Sequence, residues 1–135
     1  ATRLNIDNEP SSLDLINMTT IAEQVFEPLR KFVGGPIAIN SFYRSPKLNS
    51  AIGGSTSSQH CKGCAFDIDD KYGYKTNAEM FKYIQCNLDY DQMIWEFGDV
   101  NNPDWVHVSY VSEDVNRRRC LIAYKENGKT KYKII

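Results

Sequence analysis

The sequence predicts an α+β fold, a small single domain over residues 1–135 with a mainly antiparallel sheet and helices packed on it. Three observations lead to this. Helical spacing comes early in the chain and strand-like alternation clusters late, which fits α+β rather than regularly alternating βαβ units. The dipeptide Asn127-Gly128 separates two strand-like runs and favours a tight hairpin. A chain of 135 residues supplies one core, whereas two independent domains would each be marginal.

The elements follow in order. Thr20-x-x-Glu23 has the form of a capping box, in which hydroxyl and carboxylate satisfy the free N–H groups of a helix start. Ile21, Val25, Leu29 and Phe32 then recur at helical spacing; Pro28 kinks or ends that run, and Gly34-Gly35 stops it. Residues 36–43 have the β-branched, apolar character of a strand. Ser45-Pro46 reads as N-cap and first residue of a short helix over 47–52, with Gly53-Gly54 as its stop and a polar loop over 55–58. Residues 65–69 alternate apolar and acidic side chains, as a half-buried strand does. A helix is expected over 77–87 with Met80, Phe81 and Ile84 inward, then strands over 92–97, 105–111, 121–124 and 129–134.

Composition narrows the function. Apolar residues at 41% and charged residues at 24% are ordinary for a soluble globular protein. A net charge of −1 gives no general attraction to nucleic acid or an anionic membrane, so neither is expected as a partner, and a monomer is expected. Arg117-Arg118-Arg119 reads as a solvated surface turn. No apolar run approaches the roughly 20 residues of a membrane span. Ala1 to Pro10 carries Arg3, Asp7 and Glu9 without an apolar stretch, so it does not read as a secretory signal. The expectation is a chain made in the cytoplasm, with Cys61, Cys64, Cys86 and Cys120 as free thiols.

The chemistry-bearing residues are few. His60 and His107 are the two histidines. In Trp105-Val106-His107-Val108-Ser109 the valines share one strand face and His107 takes the other; Asp67, between Phe66 and Ile68, likewise points away from the apolar side. Two imidazoles and a carboxylate form a three-ligand zinc set with a fourth position left for water or substrate. A competing reading takes Cys61-x-x-Cys64 as half of a structural zinc site or as a redox pair. It lacks a second Cys-x-x-Cys or Cys-x-x-His to complete it.

The segment Ser58-Gln59-His60-Cys61-Lys62-Gly63-Cys64-Ala65-Phe66-Asp67 fits the pattern Ser-x-His-x-x-Gly-x-Ala-x-Asp. It resembles the zinc D-alanyl-D-alanine carboxypeptidase family, which includes the vancomycin-resistance D,D-dipeptidases and several phage endolysins. Asp104-Trp105-Val106-His107 resembles the second family signature, an acid three residues before the last ligand. Ser41-Phe42-Tyr43-Arg44-Ser45 resembles the segment carrying a substrate-facing Arg. The resemblance runs from about Glu27 to Tyr110. It implies a D,D-peptidase or hedgehog-like domain that holds Zn2+ through His60, Asp67 and His107 on an antiparallel sheet.

The other roles follow. Gly63 permits a tight turn between the loop ligand and the strand ligand, and small Ala65 lets the backbone pack closely behind the metal. Asp104 is the favoured general base, although many relatives carry Glu there; Glu96, alternating with apolar neighbours on the preceding strand, is its rival. Arg44 offers a planar fork of donors for a substrate carboxylate or the developing oxyanion, and Ser58 a hydroxyl for substrate or the metal's surroundings. Tyr43, Trp95 and Trp105 are candidate walls of the cleft.

The expected function is hydrolysis of an amide bond in a peptidoglycan stem peptide, by a D,D-carboxypeptidase or an endolysin-type endopeptidase. The expected place of action is the cell wall, as a phage lysis or virion-associated protein. The alternative is a catalytically silent zinc domain that binds a partner or wall fragment, since fold alone does not fix function.

Overall fold

A computed structural model describes residues 8–52, 54 and 58–135. Gly53, expected to stop the third helix, and residues 55–57 of the polar loop lie outside that set.

The first helix begins earlier than expected. Helix α1 spans Ser12–Ile21, and its capping box is Ser11 with Asp14. Thr20 is no cap; its hydroxyl donates to the Ile16 carbonyl one turn back, as mid-helix threonines do. A π-helical stretch, Ala22–Phe26, then leads into α2, Glu27–Val33. Pro28 lacks an N–H and sits at the start of α2, where the wider turn precedes it, so the helical path continues past it. Gly34 closes α2 in the left-handed conformation at φ +80°.

The remaining elements are β1 (Ala38–Ser41), α3 (Pro46–Ala51), a 3-10 turn (Gln59–Lys62), β2 (Ala65–Asp69), α4 (Asn77–Asn87), β3 (Gln92–Glu96), β4 (Trp105–Ser109), β5 (Arg119–Glu126) and β6 (Lys129–Ile134). Ser45 caps α3 as expected, its hydroxyl accepting the Leu48 N–H. Asn127 and Gly128 turn β5 into β6 with positive φ at both, the requirement of the tight hairpin.

Among the described residues six strands join one sheet, in the order β1-β2-β4-β3-β5-β6. Every pairing is antiparallel except β3 with β5. β4 returns antiparallel beside β3, and residues 110–118 carry the chain to β3's other edge, so β5 runs the same way as β3. The α+β architecture is as expected, with this one parallel pair in the sheet.

One face of the sheet meets the helices. Phe66, Ile68, Met93, Val106 and Val108 pack against Ile21, Val25 and Leu29 from the N-terminal helices and Met80 and Ile84 from α4. Burying each such side chain contributes about 1.5–3 kcal/mol. That preference fixes the register, because a one-residue slip would send these residues outward and bring Asp67 and His107 into the core. The residues between them, including Asp67, Ile94, Glu96 and His107, therefore share the opposite face. Ile94, Leu121 and Ala123 form a small apolar cluster there. β6 is the sheet's outer strand, exposed throughout, with Lys129, Lys131 and Lys133 alternating with Thr130, Tyr132 and Ile134.

Candidate metal centre

His60 comes from the 3-10 turn. Ser58 caps that turn, its hydroxyl accepting the His60 N–H at 3.3 Å. Gly63 ends it at φ +72°, where an added Cβ would stand 2.6 Å from the Asp14 carbonyl oxygen of α1. Both the backbone conformation and the close approach of α1 thus require glycine. The His60 ring is buried, and its Nδ1 lies 2.7 Å from the Phe42 carbonyl oxygen. A carbonyl only accepts, so Nδ1 carries the hydrogen, and Nε2 is left with a free lone pair.

Asp67 and His107 are Cα partners across the β2–β4 ladder. Asp67 Oδ1 is 3.0 Å from His107 Nδ1 and 3.4 Å from His60 Nε2. Burial alone would raise the Asp67 carboxyl pKa; its close contacts with the His107 and His60 imidazoles outweigh it and hold the group far below the usual carboxylate range. The three donor atoms lie within 4.8 Å of one another, a set able to hold one metal ion. The donors fit zinc: two imidazoles and an ionised carboxylate, with the buried histidine's tautomer fixed from behind. Among the described residues no other group of His, Cys, Asp and Glu is placed to bind a metal, and all four cysteines are free.

The three residues line a polar cleft of about 570 Å3. Glu96 lines it too, since Gln92, Ile94 and Glu96 alternate onto this face of β3. Burial, aided by the negative charge of Asp67, pushes the Glu96 carboxyl up to about 7. Arg44 enters from the end of β1, its Nη2 donating to the Ser58 hydroxyl at 3.1 Å. Trp105 walls the cleft, whereas Tyr43 does not line it.

Asp104 is not brought to this cleft. It is exposed and lines a larger, mostly apolar cleft of about 1050 Å3 against α4, together with Phe81 and Trp95. The reason is periodicity: three residues before His107 in extended chain is an odd offset and lands on the opposite face. The turn over residues 97–104 fixes it there. The Asp104 N–H donates to the Glu96 carbonyl, and its own carbonyl accepts from Asn77. Trp95 follows the same parity, packing edge-on against Phe81 with its Nε1 donating to the Asp99 carbonyl.

Several residues that line the cleft or support its wall escaped the sequence reading. Asp91, 2% exposed, accepts from Gln59 Nε2 and bidentately from Arg117 Nε and Nη2, tying the residue beside His60 to the approach of β5. Those hydrogen bonds overcome the cost of burial and hold its carboxyl at about 2. Arg119 and Tyr132 also line the cleft, and burial together with Glu96 pushes the Tyr132 phenol up. The arginine triplet is exposed as expected, but it is not a free turn: Arg117 pairs with Asp91, Arg118 with Asp89, and Arg119 opens β5. Extending the alternation of Leu121 and Ala123 back by one step would have found Arg119.

The profile of the Peptidase M15 family matches residues 3–109, the span that holds all three donors, Arg44 and Glu96. This chain belongs to the Peptidase M15 family. No curated protein matches it. The M15 match ends with β4, so β5 and β6 lie beyond it although both strands reach the cleft.

Proposed function

We propose that this M15 peptidase binds Zn2+ through His60, Asp67 and His107 and hydrolyses an amide bond in peptidoglycan stem peptides, as a D,D-carboxypeptidase or an endolysin-type endopeptidase at the cell wall. The observation that carries the reading is the shared face: three mutually close metal donors and the raised carboxyl of Glu96 line one polar cleft. When bound, zinc supplies a Lewis acid for a scissile carbonyl and lowers the pKa of water. His60 is oriented for this by the Phe42 carbonyl, and Asp67 is kept ionised by its two imidazole neighbours.

Glu96 takes the place first given to Asp104. As water adds to the carbonyl carbon, Glu96 accepts its proton; as the C–N bond breaks, Glu96 returns that proton to the leaving amine. Burial, which raises this carboxyl's affinity for a proton, suits it to hold that proton between the two transfers. Arg44, steadied by Ser58, receives a substrate carboxylate or the oxygen on which charge develops.

Digestion of purified sacculi by the zinc-loaded protein, with released fragments identified by mass, tests the reaction. The expected result is free D-alanine or peptide fragments from the parent and neither from His60→Ala. Stoichiometric zinc without either product would instead favour the silent, partner-binding domain.

A further inference from the structure

The strands beyond the family match give the cleft a feature of its own. Arg117 and Arg118 are each matched by a carboxylate, with N–O distances of 2.8 Å to Asp91 and to Asp89. Arg119 is not. Its Nε and Nη2 both donate to Gln92 Oε1, a neutral amide, and among the described residues no carboxylate pairs with it. The result is a guanidinium held in the cleft wall with its charge uncompensated. Tyr132, on the neighbouring strand β6, lines the same wall.

Sheet order gives the position. Arg119 is the Cα partner of Gln92 on one side of β3, and His107 is the partner of Ile94 on the other. Two inter-strand spacings, roughly 10 Å, and a two-residue offset along β3, about 7 Å, set Arg119 and His107 roughly 12 Å apart. With the reach of an arginine side chain subtracted, that spans one or two residues of extended peptide. Arg44, held by neutral Ser58, follows β1 on the opposite side of the metal donors in the strand order.

We propose that Arg119 is a specificity-determining residue that binds a free carboxylate of the substrate peptide, one or two residues from the scissile amide and on the side away from Arg44, with the Tyr132 hydroxyl as a second donor. This rests on the peptidase reading above. The guanidinium fork matches a carboxylate in shape and charge, and a carboxamide at the same place keeps the shape and loses the charge.

The test uses two synthetic stem peptides, identical except that the acidic residue nearest the scissile amide is a carboxylate in one and a carboxamide in the other. Zinc-loaded parent, Arg119→Gln and Arg119→Lys are compared. The parent should prefer the carboxylate peptide by about tenfold in kcat/KM, mainly through KM, the scale of one well-placed charged contact. Arg119→Gln should bring the preference close to one by losing rate on the carboxylate peptide alone, and Arg119→Lys should retain part of it. Zinc content and melting temperature should not change, because Arg119 is exposed. Equal cleavage of both peptides by the parent, an undiminished preference in Arg119→Gln, or equal losses on both peptides would overturn the subsite and leave the peptidase reading standing. Cleavage of neither peptide would overturn the two together.

Discussion

His107 and Asp67 face each other across the β2–β4 ladder with Nδ1 and Oδ1 3.0 Å apart, so one strand pairing builds two-thirds of the donor set. His60 completes it from a separate turn. Removing any one donor should therefore abolish stoichiometric zinc binding while leaving the sheet intact. Metal analysis of His60→Ala and His107→Ala checks this, with Cys61→Ser, Cys64→Ser as the control expected to keep its zinc. Zinc lost from the cysteine variant and kept in both histidine variants would move the site to the thiols.

Glu96 and Asp104 separate cleanly by variant. Glu96→Gln removes the proton acceptor and leaves all three donors in place, so zinc should remain and the rate should fall by about 10²–10⁴. Asp104→Asn, on the other sheet face, should stay near the parent rate. The reverse pattern in single-turnover rates would return the base to Asp104.

The same carboxyl should shape stability in the metal-free protein. Its folded value of about 7 lies above the ordinary 4.5, so the native state holds this proton more tightly than the unfolded chain does. Stability from this group is complete below about pH 4.5 and is lost as pH rises through 7, by about 3 kcal/mol at most. Glu96→Gln should thus be more stable than the parent at pH 8 without metal and similar at pH 4.5. Urea melts at the two pH values measure it, and equal stabilities at pH 8 would contradict the assignment.

Asp91 predicts the opposite slope. Its folded value of about 2 lies below the ordinary 3.8, so its contribution is complete above about pH 4 and is lost as pH falls towards 2. Asp91→Asn should cost about 1–3 kcal/mol at neutral pH, the scale of a buried charged hydrogen-bond partner. It should also flatten the acid limb of a stability–pH curve. A variant with the parent's acid limb would mean that Asp91 is not the group titrating there.

Gly63→Ala forces a side chain into a left-handed backbone position and against the Asp14 carbonyl. A loss of at least about 2 kcal/mol is expected, since strain and steric conflict add. Because Gly63 ends the turn that carries His60, zinc affinity should fall with it. A calorimetric melt and a zinc titration on the same sample report both.

Much of this was legible in the sequence because alternation encodes sides. The valines around His107, and Phe66 and Ile68 around Asp67, told which way the strand donors face, and the short spacing to Gly63 told that His60 sits on a turn. Local signals that admit two contexts were misleading. Thr20-x-x-Glu23 has capping-box form, yet the helix was already running from Ser12, and Ser11 with Asp14 made the box. Asp104 was favoured by its distance in sequence from His107, which the parity of an extended chain places on the wrong face. Alternation could have put Arg119 on the cleft face, but what Arg119 and Asp91 do there was out of reach for another reason. Their roles depend on β5 docking parallel to β3, a long-range pairing that no local pattern announces.

The lysines of β6 have a consequence for how copies of the chain meet. The outer edge of β6 is a row of backbone donors and acceptors open to another strand. If a second copy added its own β6 there in antiparallel register, Lys129, Lys131 and Lys133 would lie on one face against the same three residues of the newcomer. Like charges directly opposite one another are destabilising in a sheet. The strand that finishes the cleft wall therefore also guards the sheet's open edge, and replacing those lysines with threonine would invite two copies to join edge to edge as a twofold dimer.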